Sequence, residues 1–154
     1  ERSESFFSIL KMKEGLGNRA FFLIPLAARY RMKKFALFTG SLIAGLSVAL
    51  GAFGAHAWKD YLREINRLET FETASRYQMY GGITLLILGV WQMNFSNKHL
   101  KSAAYFHFAG CIIFPGSLYL ICLTNMGIWG AIAPIGGLCF LMGYILMMWS
   151  IFKK

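Results

Sequence analysis

Three stretches of this chain carry no Lys, Arg, Asp or Glu: residues 35–58, 77–97 and 102–152. Soluble domains scatter charge along their helices and strands, whereas an uncharged apolar run of about 18 or more residues marks a membrane-spanning helix. The last run is too long for one crossing, and Thr124, Asn125, Met126 and Gly127 break it with turn chemistry. The expected fold is therefore an all-α membrane protein with four transmembrane helices, at Phe35–His56, Thr73–Phe95, Ser102–Leu123 and Ala133–Phe152. Spans of about 20–23 residues, at ~1.5 Å rise each, match a hydrocarbon core of roughly 30 Å. The apolar runs are continuous rather than alternating, which excludes a β-barrel. Composition agrees: 56% of the 154 residues are hydrophobic and only 15% are charged, against about 25% charged in soluble chains.

The remaining charges orient the spans. If the spans alternate in direction, the N-terminal region, the 97–101 loop and the C-terminus share one side. Near the membrane that side carries Arg29, Arg31, Lys33, Lys34, Lys98, Lys101, Lys153 and Lys154 with no acid beside them. On the other side Lys59, Arg63, Arg67 and Arg76 are balanced by Asp60, Glu64, Glu69 and Glu72, and the 124–132 loop is uncharged. The positive-inside rule then puts both termini on the cytoplasmic side, or the matrix side of a mitochondrial inner membrane. The net charge of +9 sits at span ends, where it meets anionic headgroups rather than nucleic acid. The lipid bilayer is thus the first expected partner, and the eight basic residues form a candidate anionic-lipid site, for cardiolipin if the membrane is mitochondrial.

Residues 1–31 read as an N-terminal extension, irregular or lying in the interface; the apolar run Ala20–Ala28 is short and holds Pro25. The chain starts at Glu1, and Met32-Lys33-Lys34-Phe35 looks like the start of a membrane protein. A processed organelle leader fits that pattern and favours a mitochondrial inner membrane, with a bacterial inner membrane as the alternative. Between the first two spans, Tyr61, Leu62, Ile65, Leu68 and Phe71 recur at helical spacing, so residues 59–71 are expected to form a short amphipathic helix on the membrane surface or docked on the span ends. Pro115 predicts a kink in the third span, and Pro134 sits near the start of the fourth, where its missing N–H costs nothing.

Small residues at four-residue spacing let helix backbones meet closely in lipid. Ser47, Gly51 and Ala55 form one such row, and Gly45 and Ala49 a second. Gly54, Gly116, Gly136 and Gly137 join them as candidate packing positions. No strand precedes the glycines and no Gly-Lys-Ser/Thr follows, so they do not form a phosphate loop.

The polar residues that could carry chemistry are few. His56 ends the first span, and Glu72, Arg76, Gln78 and Tyr80 open the second on the same side, so they form a candidate polar cluster at one helix seam. At that depth the same residues also serve as anchors and caps. His99 is expected in a solvated loop, and His107 is expected to bond a neighbouring helix. Cys111, Cys122 and Cys139 show no Cys-x-x-Cys spacing and read as small buried hydrophobes. There is no metal-ligand spacing, no cofactor motif, no Ser-His-Asp order and no acid beyond Glu72; the expectation is a protein that is not an enzyme and holds no metal or cofactor.

Four segments, "GAFGAHAWKDYL", "ETFETASRYQMY", "FPGSLYL" and "WGAIAPIGGL", stand in the order and spacing of a known family. Over residues 32–152 the chain resembles the small membrane proteins of the domain of unknown function 423 family, the transmembrane protein 256-like proteins. The resemblance implies four membrane helices in a bacterial inner-membrane or mitochondrial setting, and no established activity. Its motif positions fall here on Gly51, Gly54, His56, Glu72, Arg76, Tyr77, Gln78, Tyr80, Gly116, Ser117, Pro134, Gly136 and Gly137. Two positions depart: the family carries a histidine where this chain has Gly81, and a threonine where it has Ala133.

Two functional readings follow. In the first the protein is a structural or accessory subunit of a larger inner-membrane assembly, a respiratory-chain complex being the candidate, with other membrane subunits as partners. In the second it is a small transporter or lipid-handling protein using His56, Glu72 and Arg76. Small-residue seams, lost polar positions and abundant aromatic and methionine side chains favour the first.

Overall fold

A computed structural model describes residues 33–95 and 97–152. Four long helices run alternately up and down: α1 (Lys33–Ala55), α3 (Leu68–Asn94), α4 (Lys98–Thr124) and α5 (Ala133–Phe152). A six-residue helix, α2 (Lys59–Glu64), joins the first two, and a 3₁₀ turn at Gly127–Ala131 leads into α5. Every element among the described residues is helical. Seven residues mark the ends of the bundle. At one end Lys33 Nζ donates to Met93 O (3.4 Å) and Asn97 Nδ2 donates to Ser150 O (3.1 Å). At the other, Arg67 Nε donates to Asn125 Oδ1 (3.1 Å) and Cys122 Sγ to Arg67 O (3.7 Å). The first and last described residues therefore lie at the same, basic end.

The local sequence explains each corner. Asn97 is the N-cap of α4: its backbone is extended, and its side chain accepts from Leu100 N at 2.9 Å. Lys98 and Lys101 occupy the first turn of α4, where positive charge opposes the helix dipole. Asn125 adopts the left-handed conformation (φ 53°) and stops α4 by donating its N–H to Ile121 O. Pro134 is the second residue of α5, where no intrahelical partner is required.

Three sequence expectations change here. Residues 59–71 are not one amphipathic helix: Asn66 takes the left-handed conformation (φ 55°) and separates α2 from α3, so Leu68 and Phe71 belong to the long helix. Leu62, Phe71 and Cys122 then form a small buried cluster with Trp58, Ile65 and Tyr119 that closes this end. His99 lies in the first turn of α4, not in a loop, with its ring 6.5 Å from Trp149. Pro115 stands inside α4, which continues through it as one helix. Finally, among the described residues three segments are long and apolar enough to cross a membrane, Lys33–Ala55, Lys98–Thr124 and Gly127–Phe152, rather than four. Helix α3 falls short although it is 27 residues long, because Gln78, Thr84 and Gln92 dilute its apolar content; all three are buried.

The main core joins Ala36 and Ile43 of α1, Leu85 and Leu88 of α3, Leu100, Ala103, Ala104 and Cys111 of α4, and Phe140 of α5. Large apolar side chains such as Ile83, Ile87, Ile112, Leu138 and Leu141 point outward. That inside-out distribution is what lipid tails permit, since they solvate leucine as well as a protein core does.

Candidate functional site

Close contact between α1 and α3 is built on glycine. A Cβ on Gly82 would stand 2.8 Å from Ala44 N, and one on Gly40 would stand 2.8 Å from Leu86 N. Those distances to backbone atoms leave room for hydrogen alone. Two serines lace the same seam reciprocally: Ser47 Oγ donates to Ser75 O (2.7 Å) and Ser75 Oγ donates to Ser47 O (3.1 Å). Gln78 Nε2 donates to Ile43 O (3.1 Å). Of the expected packing positions, Ser47 is buried, Gly51 faces Ser75 Oγ and Gly54 faces the Phe71 ring. Ala55 is exposed; Gly45, Gly116 and Gly137 meet nothing within 4 Å of a built Cβ. The second small-residue row faces outward because helical phase puts Gly45 on the side away from α3.

Between α4 and α5, Gly136 lies against the backbone of Phe114, and Gly143 against the His107 ring. His107 is fully buried and, contrary to expectation, bonds within its own helix: Nδ1 lies 2.9 Å from Ala103 O. Its ring stands edge-on to Tyr144, with centroids 4.6 Å apart. Gly143 makes this possible, because a side chain there would occupy the ring's place.

The expected polar cluster does not assemble. Glu72 and Arg76 do pair along α3 at 4.0 Å, and with Gly51, Gly54 and Ser75 they line a shallow recess of about 260 Å³. His56 lies beyond the end of α1, exposed, and its ring bonds no other described residue. Gln78 turns to α1. Tyr80 turns the other way, into a larger cavity. Successive helical positions differ by about 100°, so residues 76, 78 and 80 address three different surroundings. No three His, Cys, Asp or Glu side chains converge as metal ligands among the described residues.

The larger cavity is the candidate site. It is a groove of about 550 Å³, open on one side, between α3, α4 and α5. Tyr77 and Tyr80 form its α3 wall and Phe114 its α4 wall; Phe140 and Tyr144 lie along α5. Gly137 leaves it hollow, since nothing lies within 4 Å of a Cβ built there. A Cβ at Gly81 would strike Cys111 Sγ and the Phe140 ring, so the backbone floor there has no room for the histidine of the resembling family. Behind the groove's tyrosines, the buried Thr84 Oγ1 donates to Tyr80 O (2.8 Å) and lies 3.1 Å from Tyr144 Oη. No single residue type announces this groove in the sequence; its walls come from positions 77 to 144.

Among the basic residues, Lys33 caps the C-terminal turn of α3 through Met93 O, while Lys98 and Lys101 sit on the first turn of α4 at the same end. Arg29, Arg31, Lys153 and Lys154 lie outside the described residues, as does the 1–31 extension.

Long apolar helices, outward-facing hydrophobic side chains and glycine-tight seams together define a small helical integral membrane protein. Comparison with known proteins narrows this further. Residues 50–137 match the family described as protein of unknown function (DUF423). A UPF0382 membrane protein of Staphylococcus aureus (strain bovine RF122 / ET3-1) is 39% identical over 120 residues, covering 78% of this chain and 97% of that protein. One from Staphylococcus haemolyticus (strain JCSC1435) is also 39% identical over 120 residues, with the same coverage. One from Staphylococcus epidermidis (strain ATCC 12228 / FDA PCI 1200) is 38% identical over 122 residues, covering 79% of this chain and 98% of that protein. No solved structure matches. The chain belongs to the DUF423 family of membrane proteins.

Proposed function

We propose that this protein acts by contact rather than by chemistry, as an accessory subunit of a larger inner-membrane assembly, with a respiratory-chain complex as the candidate. One observation carries the reading. Several polar groups inside the bundle join helices: Ser47 with Ser75, Gln78 with Ile43, Thr84 with Tyr144, and Asn97 with Ser150. No acid–base pair stands at membrane depth among the described residues, while broad apolar faces, above all that of α5, remain available to neighbours. The transporter alternative needs His56 beside Glu72 and Arg76, and the dispersal of that cluster argues against it.

In this reading α3 crosses the membrane as the fourth span. Its outward positions Ile83, Ile87 and Val90 are apolar, and its glutamines turn inward, so its exposed surface suits lipid better than its average composition does. The basic end faces the cytoplasm or matrix by the positive-inside rule. Relatives in Staphylococcus favour an inner membrane of bacterial type; the mitochondrial reading rests on residues 1–31. Lys98 and Lys101 attract anionic lipid at that end, cardiolipin in a mitochondrial membrane, at about 1 kcal/mol per charge.

Extraction in mild detergent followed by native electrophoresis tests the subunit role. Comigration with a larger complex is expected. Migration solely at monomer or small-oligomer mass would remove the reading.

A further inference from the structure

We propose that the groove between α3, α4 and α5 binds a membrane-dissolved ligand with a flat ring and a hydroxyl donor, of the phenol or hydroquinone class. This goes beyond the subunit role and stands apart from it, since a groove can be filled whether or not the protein has partners.

The size and lining come first. About 550 Å³ lies within the range of small-molecule sites, roughly 300–1,000 Å³, which are mostly apolar with a few placed polar groups. Aromatic rings form its walls: Tyr77, Tyr80, Phe114, Phe140 and Tyr144. Lipid tails gain little from rings over leucines, whereas a flat ligand stacks on them or meets them edge-on. Gly137 opens the wall without serving any packing purpose, as nothing lies within 4 Å of its built Cβ.

Hydrogen-bond accounting then selects the polar group. Thr84 has one hydroxyl proton and gives it to Tyr80 O at 2.8 Å. The 3.1 Å contact between Thr84 Oγ1 and Tyr144 Oη must therefore use the tyrosine's proton. Tyr144 Oη is left with free lone pairs and no proton, so it accepts and does not donate. Tyr144 lies ten residues along α5 from Pro134, about 15 Å away at ~1.5 Å per residue. A ligand reaching it places its hydroxyl there, its ring among Phe140 and Tyr144, and its apolar tail toward the open side. A hydroxylated ring satisfies Tyr144, whereas the oxidised, carbonyl-bearing form of the same ring offers it no proton.

The test uses the full chain in detergent, with a decyl-substituted benzohydroquinone and its benzoquinone form, the former kept reduced under anaerobic conditions. Binding is read by thermal midpoint and by ligand retained after gel filtration. The hydroquinone should bind about tenfold more tightly than the quinone, the effect of one net hydrogen bond. Gly137→Leu should fill the groove and abolish binding of both forms without lowering the unliganded midpoint, because the added side chain enters open space and leucine favours the helix over glycine. Tyr144→Phe should bring the two forms to equal affinity. Thr84 keeps its bond to Tyr80 O in that variant, so no donor is orphaned. Equal binding of both forms by the unaltered protein would overturn the proposal, as would no binding of either or full binding by Gly137→Leu. Retention of phospholipid alone, lost in Gly137→Leu, would assign the groove to acyl chains instead and equally refute it.

Discussion

Replacing Gly82 with alanine should weaken the bundle, and the same replacement at Gly45 should not. A Cβ on Gly82 would sit 2.8 Å from Ala44 N, 3.0 Å from Ala44 Cβ and 3.1 Å from Ala44 Cα. Two of these are backbone atoms that no rotamer change can move. Relief requires α1 and α3 to part by several tenths of an ångström. The same motion stretches the Ser47–Ser75 pair, at 2.7 and 3.1 Å, and the Gln78–Ile43 bond, at 3.1 Å. Overpacking of this kind costs about 1–3 kcal/mol, and each strained interhelical bond adds a fraction of the ~0.6 kcal/mol such bonds average in membranes. Against this stands the gain of about 0.8–1 kcal/mol in helix propensity for alanine over glycine. The net loss for Gly82→Ala is about 1–2 kcal/mol. Gly45→Ala meets nothing within 4 Å and keeps the whole propensity gain, up to ~1 kcal/mol. The two variants should thus differ by about 2–3 kcal/mol, with opposite signs relative to the parent. Reversible unfolding in mixed micelles at rising SDS fraction, followed by circular dichroism, measures both. If Gly82→Ala proves as stable as Gly45→Ala, the α1–α3 seam is not the close-packed contact described here.

Ser47→Ala and Ser75→Ala should each cost about 0.6 kcal/mol, and a double-mutant cycle should show coupling, because the two hydroxyls span the same seam; strict additivity would argue against a shared contact. Asn97→Ala removes both the α4 N-cap and the bond to Ser150 O, so unfolding should shift by about 1–2 kcal/mol, whereas Asn97→Ser, which keeps the cap but cannot reach as far, should recover part of the loss. Tags placed at the two termini should react with a membrane-impermeant thiol reagent from the same side of sealed vesicles; labelling of one terminus alone would mean that α3 does not cross. Lys98→Gln with Lys101→Gln should reduce the anionic lipid retained in native mass spectrometry, and an unchanged complement would leave these lysines as orientation signals.

The charge-free runs determine the helices because the cost of burying charge in hydrocarbon acts on each segment independently of its neighbours. Asn125, Gly127 and Pro134 mark the break between α4 and α5 for a similarly local reason: their backbone preferences hold wherever they stand. Helix α3 shows where that reasoning ends. Gln78 and Gln92 lower its apolar average, yet they are turned inward, and only the packed bundle distinguishes an inward glutamine from one facing lipid. The glycines divide the same way. Gly45 and Gly51 look alike in sequence, but the phase of α1 against α3 puts one against Ser75 and the other on the outer face. Gly40, Gly81, Gly82, Gly110 and Gly143 are close-contact positions that spacing within one helix does not reveal, since each is matched by a residue on another helix. Proximity along the chain suggested one cluster from His56, Glu72, Arg76, Gln78 and Tyr80, while the helical rotation of about 100° per residue sends Gln78 to α1 and Tyr80 to α5. The groove exists only because three helices stop short of filling the space between them, and that is a property of the tertiary structure alone.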